Sequence, residues 1–150
     1  MNTCIIPVRK GSQRLKKKNY RKLGKFTILE LAIIKALKSN VFDNIIINTD
    51  DIKLKKIAHN FGVNFYLRRP DLSNSTATSD QLVLDFFKNY KTDHVFWVNT
   101  ASPLQTVSDI KKFVLNFTKK SLISSVSANN LQLHSYYKNM PINFIKKKGF

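Results

Sequence analysis

The chain has 150 residues, a hydrophobic fraction of 43% and a formal net charge of +17. This length suits a single domain with a real core, and the hydrophobic fraction excludes a disordered tail. The one cysteine, Cys4 in an apolar run, argues against a disulfide framework or a thiolate metal site. The charge leaves three interpretations open: nucleic-acid binding, binding of phosphates or acidic sugars, or a lysine-rich background composition.

Short apolar runs alternate with helical patterns along the whole chain. The apolar runs predict five strands, over residues 3–8, 44–48, 63–67, 93–98 and 122–127. The helical patterns predict four helices, over residues 26–39, 52–61, 78–90 and 108–118. For the second helix we expect a cap at Asp50 and Asp51 and an end at Gly62. This alternation predicts a doubly wound, mostly parallel α/β sheet of Rossmann-like type with helices on both faces.

The sequence contains no predicted membrane span, signal peptide or domain linker. We therefore expect one domain over residues 1–150 and a cytoplasmic location. In doubly wound sheets, ligands bind beyond the carboxyl ends of the strands. That rule selects four loops, which are residues 9–19, 48–51, 68–79 and 99–105.

The first of these loops is unusually basic. Residues 9–25 carry nine Lys or Arg and no acid. Gly11 would let the backbone approach a phosphate closely, and the surrounding cations would neutralise its charge. The loop is neither a Walker A motif nor a dinucleotide-binding fingerprint. A solvated basic turn stays the alternative interpretation.

The stretch IIPVRKGSQRLKKKN resembles the opening of the CMP-sialic acid synthetases (acylneuraminate cytidylyltransferases) and their Kdo relatives. The resemblance continues in order through NVFDNIIINTDD, LRRPDLSNSTATSDQLV, WVNTASPLQTVSDI and HSYYK. It implies the fold of the nucleotide-diphospho-sugar transferases. It also implies a nucleotidyltransferase that moves CMP from CTP to a 2-keto sugar acid of the sialic or nonulosonic type, with release of pyrophosphate.

The resemblance also implies roles for individual residues. Arg9 and Lys18 match catalytic positions at the triphosphate, and Arg69 matches the arginine that reads cytosine. Asn99 falls where the family has a glutamine that contacts the acceptor sugar. The nucleotide-binding residues predicted from the loop and the resemblance together are Gly11, Ser12, Asn19, Arg69, Ala77 and Ser79.

The chain is shorter than the family it resembles. The family's further segment brings a dimerisation element and a pair of metal-binding aspartates. We therefore expect Mg²⁺ as cofactor without the family's carboxylate ligands in this chain, and we leave open whether the chain forms a homodimer. Asp50 and Asp51 are interpreted as a helix cap, so no metal ligand is assigned.

Several functions stay open beside the cytidylyltransferase interpretation. One is an inactive or truncated nucleotide-binding domain with a structural or regulatory role, and another is a Kdo-type cytidylyltransferase. A third is a nucleic-acid-binding module, which needs exposed aromatic residues along a basic stripe. Because aromatic residues such as Phe86 and Phe96 occupy core positions of the predicted elements, we expect no specific nucleic acid as a partner. The resemblance implies CTP and an acidic sugar as partners, and without a long apolar run we expect no membrane.

Overall fold

A four-stranded parallel sheet forms the centre of the computed structural model, which describes residues 1–11, residues 17–126 and the backbone of two short strands beyond them. In chain order the strands are β1 (Asn2–Val8), β2 (Lys22–Leu23), β3 (Phe26–Thr27), β4 (Asn44–Thr49), β5 (Asn64–Leu67), β6 (His94–Trp97), β7 (Tyr136–Tyr137) and β8 (Met140–Pro141). The central sheet has the order β5-β4-β1-β6, and all its neighbours are parallel. The other strands form two short antiparallel pairs, β2 with β3 and β7 with β8.

Four helices cover the two faces of the central sheet. They are α1 (Ile28–Ser39), α2 (Leu54–Asn60), α3 (Ser79–Asn89) and α4 (Val107–Lys119). Three of them begin with a capping box, in which a threonine at the N-cap and the side chain three residues later bond each other's backbone N–H. These threonines are Thr27, Thr78 and Thr106.

The buried side chains divide between the two faces because successive residues of a strand point to opposite sides. One face carries Ile6 and Ile47, which pack with α1, α2 and α4 in the larger apolar cluster. The other face carries Ile5 and Ile46, which pack around Phe86 of α3. The prediction of a mostly parallel α/β sheet with helices on both faces is confirmed.

The predicted fifth strand, residues 122–127, is wrong for the part that the structure describes. Residues 122–126 have no strand geometry, and Ile123 and Val126 are 102% and 86% exposed. An apolar run becomes a strand only where its backbone finds ladder partners. Within the described residues the central sheet ends at β6.

Two predicted helix starts also shift. The second helix begins at Leu54 instead of residue 52, because an oxygen of Asp51 accepts the Lys53 N–H and holds a turn there. The first begins at Ile28 instead of residue 26, because Thr27 is its N-cap. Gly62 does follow the end of α2, and its φ of 64° lies in the left-handed region that glycine adopts most easily. Among the described residues, no helix has the length and apolar character needed to cross a bilayer.

Candidate functional site

A polar cavity lies at the carboxyl ends of β1 and β6. Its volume is about 160 Å³. It is lined by Pro7, Arg9, Gly11, Lys18, Asn19, Asn99 and Thr100. Five of these were predicted as site residues, namely Arg9, Gly11, Lys18, Asn19 and Asn99. Among the described residues, the lining contains two cations and no acid, so the cavity suits an anion.

Arg9 follows β1 directly and joins two loops. Its Nε donates a hydrogen bond to the Gly11 carbonyl at 2.8 Å, and its Nη1 donates to the Asn74 carbonyl at 2.8 Å. A guanidinium carries more N–H donors than these two bonds use. Arg9 can therefore hold the first and third loops together and still donate to an anion in the cavity.

Asn19 joins the first loop to the fourth. Its Nδ2 donates to the Arg9 carbonyl at 3.2 Å, and its Oδ1 accepts the Thr100 hydroxyl at 3.0 Å. Asn19 is 6% exposed and Thr100 is 3% exposed. The amide that we predicted to reach the nucleotide is thus engaged within the protein on both sides. In this geometry Asn19 shapes the cavity wall and fixes the backbone of Arg9.

The fourth loop has a second support from α1. The Lys35 ammonium donates to the Ser102 carbonyl at 3.0 Å and to the Pro103 carbonyl at 3.2 Å. Burial lowers the pKa of Lys35 because it removes water from the charged form. Asn99 lies at the start of this loop, and its Oδ1 accepts the Ala101 N–H at 2.9 Å. The side chain of Asn99 is exposed, so its remaining polar groups are open to a ligand.

The third loop is organised by one asparagine. The Asn74 Oδ1 accepts the backbone N–H groups of Thr76 at 3.0 Å and of Ala77 at 2.8 Å, together with the Thr76 hydroxyl at 2.8 Å. Ser79 is the first residue of α3 and is exposed. Neither Ala77 nor Ser79 lines the cavity. The third loop is linked to the cavity through Asn74, whose carbonyl accepts a hydrogen bond from Arg9.

Arg69, predicted to read the base, lies on the surface. Its side chain is 65% exposed and makes two hydrogen bonds to the carboxylate of Asp71, at 3.1 and 2.9 Å. Asp85 lies 4.0 Å from its Nη1. Arg69 does not line the cavity, so a role in binding would require the ion pair with Asp71 to exchange for a ligand.

The neighbouring Arg68 is the charged residue that our sequence reasoning missed. It is 5% exposed, its Nε donates to Asn48 Oδ1 at 2.7 Å, and its Nη2 donates to the Asn48 carbonyl at 2.8 Å. Burial lowers the pKa of Arg68, Asp50 counteracts this, and the positive charge of Arg9 lowers the pKa further. The only sequence signal was the pair of consecutive arginines after β5, which does not say which one points inward.

The two acids that follow β4 hold the basic loop. Asp50 Oδ1 accepts the Lys10 N–H at 2.8 Å, and Asp51 Oδ2 accepts the Tyr20 hydroxyl at 2.5 Å. Burial, and then the hydrogen bond to Asp51, raises the pKa of Tyr20. The interpretation of Asp50 and Asp51 as the cap of the second helix is wrong, because the N-cap of α2 is Lys53 and no side chain caps it. Asp51 instead bonds the Lys53 N–H in the turn before α2, and Asp50 contacts the loop.

A metal site is not formed by the part of the chain that the structure describes. No group of three or more His, Cys, Asp or Glu side chains is close enough there to hold an ion. Both acids after β4 are engaged in hydrogen bonds within the protein. The described residues therefore hold no preformed cluster of metal ligands, although Mg²⁺ is usually bound by only one or two carboxylates together with substrate phosphates. Ser12, a predicted phosphate contact, lies outside the described residues.

Comparisons with known proteins agree with this architecture. The cytidylyltransferase family model matches residues 3–145. The chain is 30% identical over 134 residues to the N-acylneuraminate cytidylyltransferase of Streptococcus agalactiae serotype III strain NEM316, covering 87% of this chain and 32% of that protein. It is 33% identical over 129 residues to the pseudaminic acid cytidylyltransferase of Campylobacter jejuni strain 81-176, covering 79% of this chain and 55% of that protein.

The fold is also that of a solved CMP:2-keto-3-deoxy-manno-octonic acid synthetase, with a TM-score of 0.68 at 19% identity over 80% of this chain and 48% of the other. The predicted Rossmann-like fold of the nucleotidyltransferases is confirmed by this match. The chain spans between about a third and about half of the length of the curated relatives described above. The match of the family model over nearly all of its residues shows that the chain belongs to the cytidylyltransferase family.

Proposed function

We propose that the chain carries the nucleotide-binding site of an enzyme that transfers CMP from CTP to a 2-keto sugar acid of the nonulosonic type, with release of pyrophosphate. The observation that carries this proposal is the cavity itself, in which Arg9, Gly11, Lys18, Asn19 and Asn99 meet at the carboxyl edge of the sheet. The relatives whose names specify N-acylneuraminate and pseudaminic acid support the acceptor class.

The size and charge of the cavity suit the phosphates of CTP. Pockets that enclose a whole drug-sized ligand measure roughly 300–1,000 Å³, so a cavity of about 160 Å³ holds part of a nucleotide. Its two cations, Arg9 and Lys18, can make charge-assisted hydrogen bonds to phosphate oxygens. Transfer of a phosphoryl group depends on such positioning and on neutralising the charge that develops.

Each lining residue has a chemical task in this proposal. The anomeric hydroxyl of the sugar acid attacks the α-phosphorus of CTP, and the bond to pyrophosphate breaks. Arg9 and Lys18 stabilise the negative charge on the phosphate oxygens, Gly11 lets the backbone approach them, and Asn19 keeps Arg9 in place. Asn99, which lines the cavity and is exposed, is proposed to contact the acceptor. The third loop, with Arg69, Ala77 and Ser79, is proposed to face the base.

The remaining expectations are part of the same proposal. We propose that residues 1–150 belong to one nucleotidyltransferase domain and that the protein acts in the cytoplasm with CTP and an acidic sugar as partners. A homodimer stays a prediction. Mg²⁺ stays a prediction as well, and no step above depends on it because the described residues do not form a site for it.

A nucleic-acid module is less well supported than a nucleotide site. Base stacking needs aromatic rings on the surface. Phe86 and Phe96 are buried, at 0% and 5% exposed, but Phe26, Phe87 and Trp97 are 42%, 42% and 37% exposed. What favours the nucleotide site is therefore the match to the cytidylyltransferase family. The net charge of +17 would by itself produce weak, salt-dependent binding to any polyanion.

Calorimetric titration of CTP, ATP, GTP and UTP at moderate salt, with and without Mg²⁺, tests the proposal. We expect selective binding of CTP, and Arg9→Ala should weaken it about 50-fold, since hydrogen bonds between charged groups contribute about 2–3 kcal/mol. The matched control is Lys25→Ala, which removes one exposed cation of the same basic stretch that does not line the cavity. Its affinity for CTP should stay within about twofold of the unchanged protein.

Three outcomes would contradict parts of the proposal. Equal binding of all four triphosphates, weakened alike by both substitutions and by salt, would reduce the cavity to a nonspecific anion site. Selective CTP binding without pyrophosphate release, tested with sialic, legionaminic and pseudaminic acids and Kdo as acceptors, would instead favour a nucleotide-binding domain without activity of its own. Turnover with Kdo alone would move the acceptor to the Kdo class.

A further inference from the structure

The basic first loop is held at both ends by two consecutive carboxylates. Before residues 12–16, the backbone N–H of Lys10 donates to Asp50 at 2.8 Å. After them, the Tyr20 hydroxyl donates to Asp51 at 2.5 Å. Asp50 and Asp51 follow β4, which is the neighbour of β1 in the sheet. The first loop starts at the end of β1, but both of its ends are therefore hydrogen-bonded to the residues that follow the neighbouring strand β4.

Asp51 is built into the fold more firmly than a surface acid. It is 5% exposed, its N–H donates to the Thr49 hydroxyl at 3.0 Å, and its Oδ1 accepts the Lys53 N–H at 3.1 Å. These bonds leave Oδ2 for Tyr20. A carboxylate with this many fixed partners presents its free oxygen in one position, so the hydroxyl of Tyr20 has a defined anchor.

Tyr20 belongs to the same single turn as two residues of the cavity. The turn covers Lys18–Tyr20, and it is closed by a hydrogen bond from the Tyr20 N–H to the Lys17 carbonyl at 2.9 Å. Lys17 precedes it with a φ of 54°, a left-handed conformation that is unfavourable for residues with a side chain. A turn that begins with an unfavourable backbone conformation needs an external contact to keep it in place.

We propose that Tyr20 and Asp51 act as positioning residues, forming a clamp that fixes the turn carrying Lys18 and Asn19 and thereby sets the phosphate-binding geometry of the cavity. The proposal deepens the function proposed above and rests on it for the identity of the ligand. Tyr20 itself does not line the cavity, so its effect reaches the ligand only through its neighbours in the turn. Because Lys18 of this turn is proposed to neutralise phosphate charge, the clamp should matter more for CTP, which carries three phosphates, than for CMP, which carries one.

The chain offers a matched control for removing this hydroxyl. Tyr66 also donates its hydroxyl to a carboxylate, that of Asp85, at 2.7 Å. Both tyrosines have a raised pKa for the same two leading reasons, burial and then this hydrogen bond. Tyr66 lies in β5, and its hydroxyl bonds Asp85 of α3, far in sequence from the first loop. Tyr20→Phe and Tyr66→Phe thus delete the same atom from the same kind of bond at two places.

The experiment measures the Kd of CTP and of CMP, the rate of tryptic cleavage after Lys17 and Lys18, and the urea unfolding of both variants and the unchanged protein. We expect Tyr20→Phe to lower the preference for CTP over CMP about tenfold and to speed the cleavage by a similar factor, since loss of a hydrogen bond to a charged group shifts an equilibrium by about this much. Tyr66→Phe should leave both quantities within about twofold of the unchanged protein.

The clamp would be overturned if Tyr20→Phe and Tyr66→Phe showed the same preference for CTP over CMP and the same cleavage rate. Equal loss of CTP and CMP affinity would overturn it too, because a general loss of folding affects both ligands alike. If the unchanged protein binds no CTP, the proposed function fails, and the cleavage rates still decide the clamp. Faster cleavage in Tyr20→Phe alone then supports it, and equal rates in both variants overturn it.

Discussion

Replacement of Asn19 by alanine tests whether the tie between the first and fourth loops holds the cavity together. The substitution removes the donor to the Arg9 carbonyl and the acceptor of the Thr100 hydroxyl. Each bond contributes about 1 kcal/mol, and a buried hydroxyl left without a partner costs about 1 kcal/mol more. Thr100 is 3% exposed. We therefore expect Asn19→Ala to lower the free energy of unfolding by about 3 kcal/mol, which for a chain of this size is about 6–12 °C in Tm.

Urea unfolding of Asn19→Ala, Thr100→Val, the double variant and Asn99→Ala provides the measurement. Asn99 lines the same cavity but is exposed and gives up only one bond to a backbone N–H, so Asn99→Ala should cost no more than about 1 kcal/mol. Because Thr100→Val removes the hydroxyl that Asn19→Ala leaves unpaired, the double variant should be at least about 1 kcal/mol more stable than the sum of the single effects predicts. Full additivity, or equal destabilisation by Asn19→Ala and Asn99→Ala, would refute the reasoning.

Two further predictions concern the buried arginine and the second tyrosine–carboxylate pair. Asn48→Ala leaves the Nε of buried Arg68 without its partner, so it should lower the free energy of unfolding in urea by about 3 kcal/mol. The control Asn44→Ala, at the other end of the same strand, should lower it by less than about 1 kcal/mol. Equal losses in the two variants would contradict this. Burial and the hydrogen bond to Asp85 raise the pKa of Tyr66 to about 12, above its unfolded value of about 10. The protein should therefore lose stability as pH rises from about 10 to 12, since the unfolded chain gives up this proton first. Tyr66→Phe should make that loss smaller, and an unchanged pH dependence would speak against it.

The two consecutive arginines after β5 mark the limit of prediction from the sequence at the site. Successive residues of an extended chain point in opposite directions, so one of Arg68 and Arg69 faces inward, but the sequence does not say which. The resemblance singled out Arg69, whose side chain is 65% exposed. The inward residue is Arg68, because Asn48 on the neighbouring strand, twenty positions earlier, offers both its side-chain oxygen and its carbonyl.

The cavity was predictable in part. The rule that ligands bind at the carboxyl ends of parallel strands selected all four loops, and five predicted residues line one cavity. The rule gives no side-chain directions, so it did not predict that the side chain of Asn19 would bond Arg9 and Thr100. The contact of Asn19 with the nucleotide stays a prediction. The rule also gave no sign that Tyr20 and Asp51 would meet.

The amino-acid sequence by itself determined the local features of this protein, because these depend on contacts within a few residues. The apolar periodicity, the threonine caps of three helices and the glycine after α2 are all of this kind. Tertiary structure decided which strands are neighbours, why residues 122–126 form no strand, and which polar groups pair across long stretches of sequence, such as the 81 residues between Asn19 and Thr100 or the 92 between Asn2 and His94. Such pairings form only when separate elements pack around one core. The local sequence does not predict them because the partner residue lies far away along the chain.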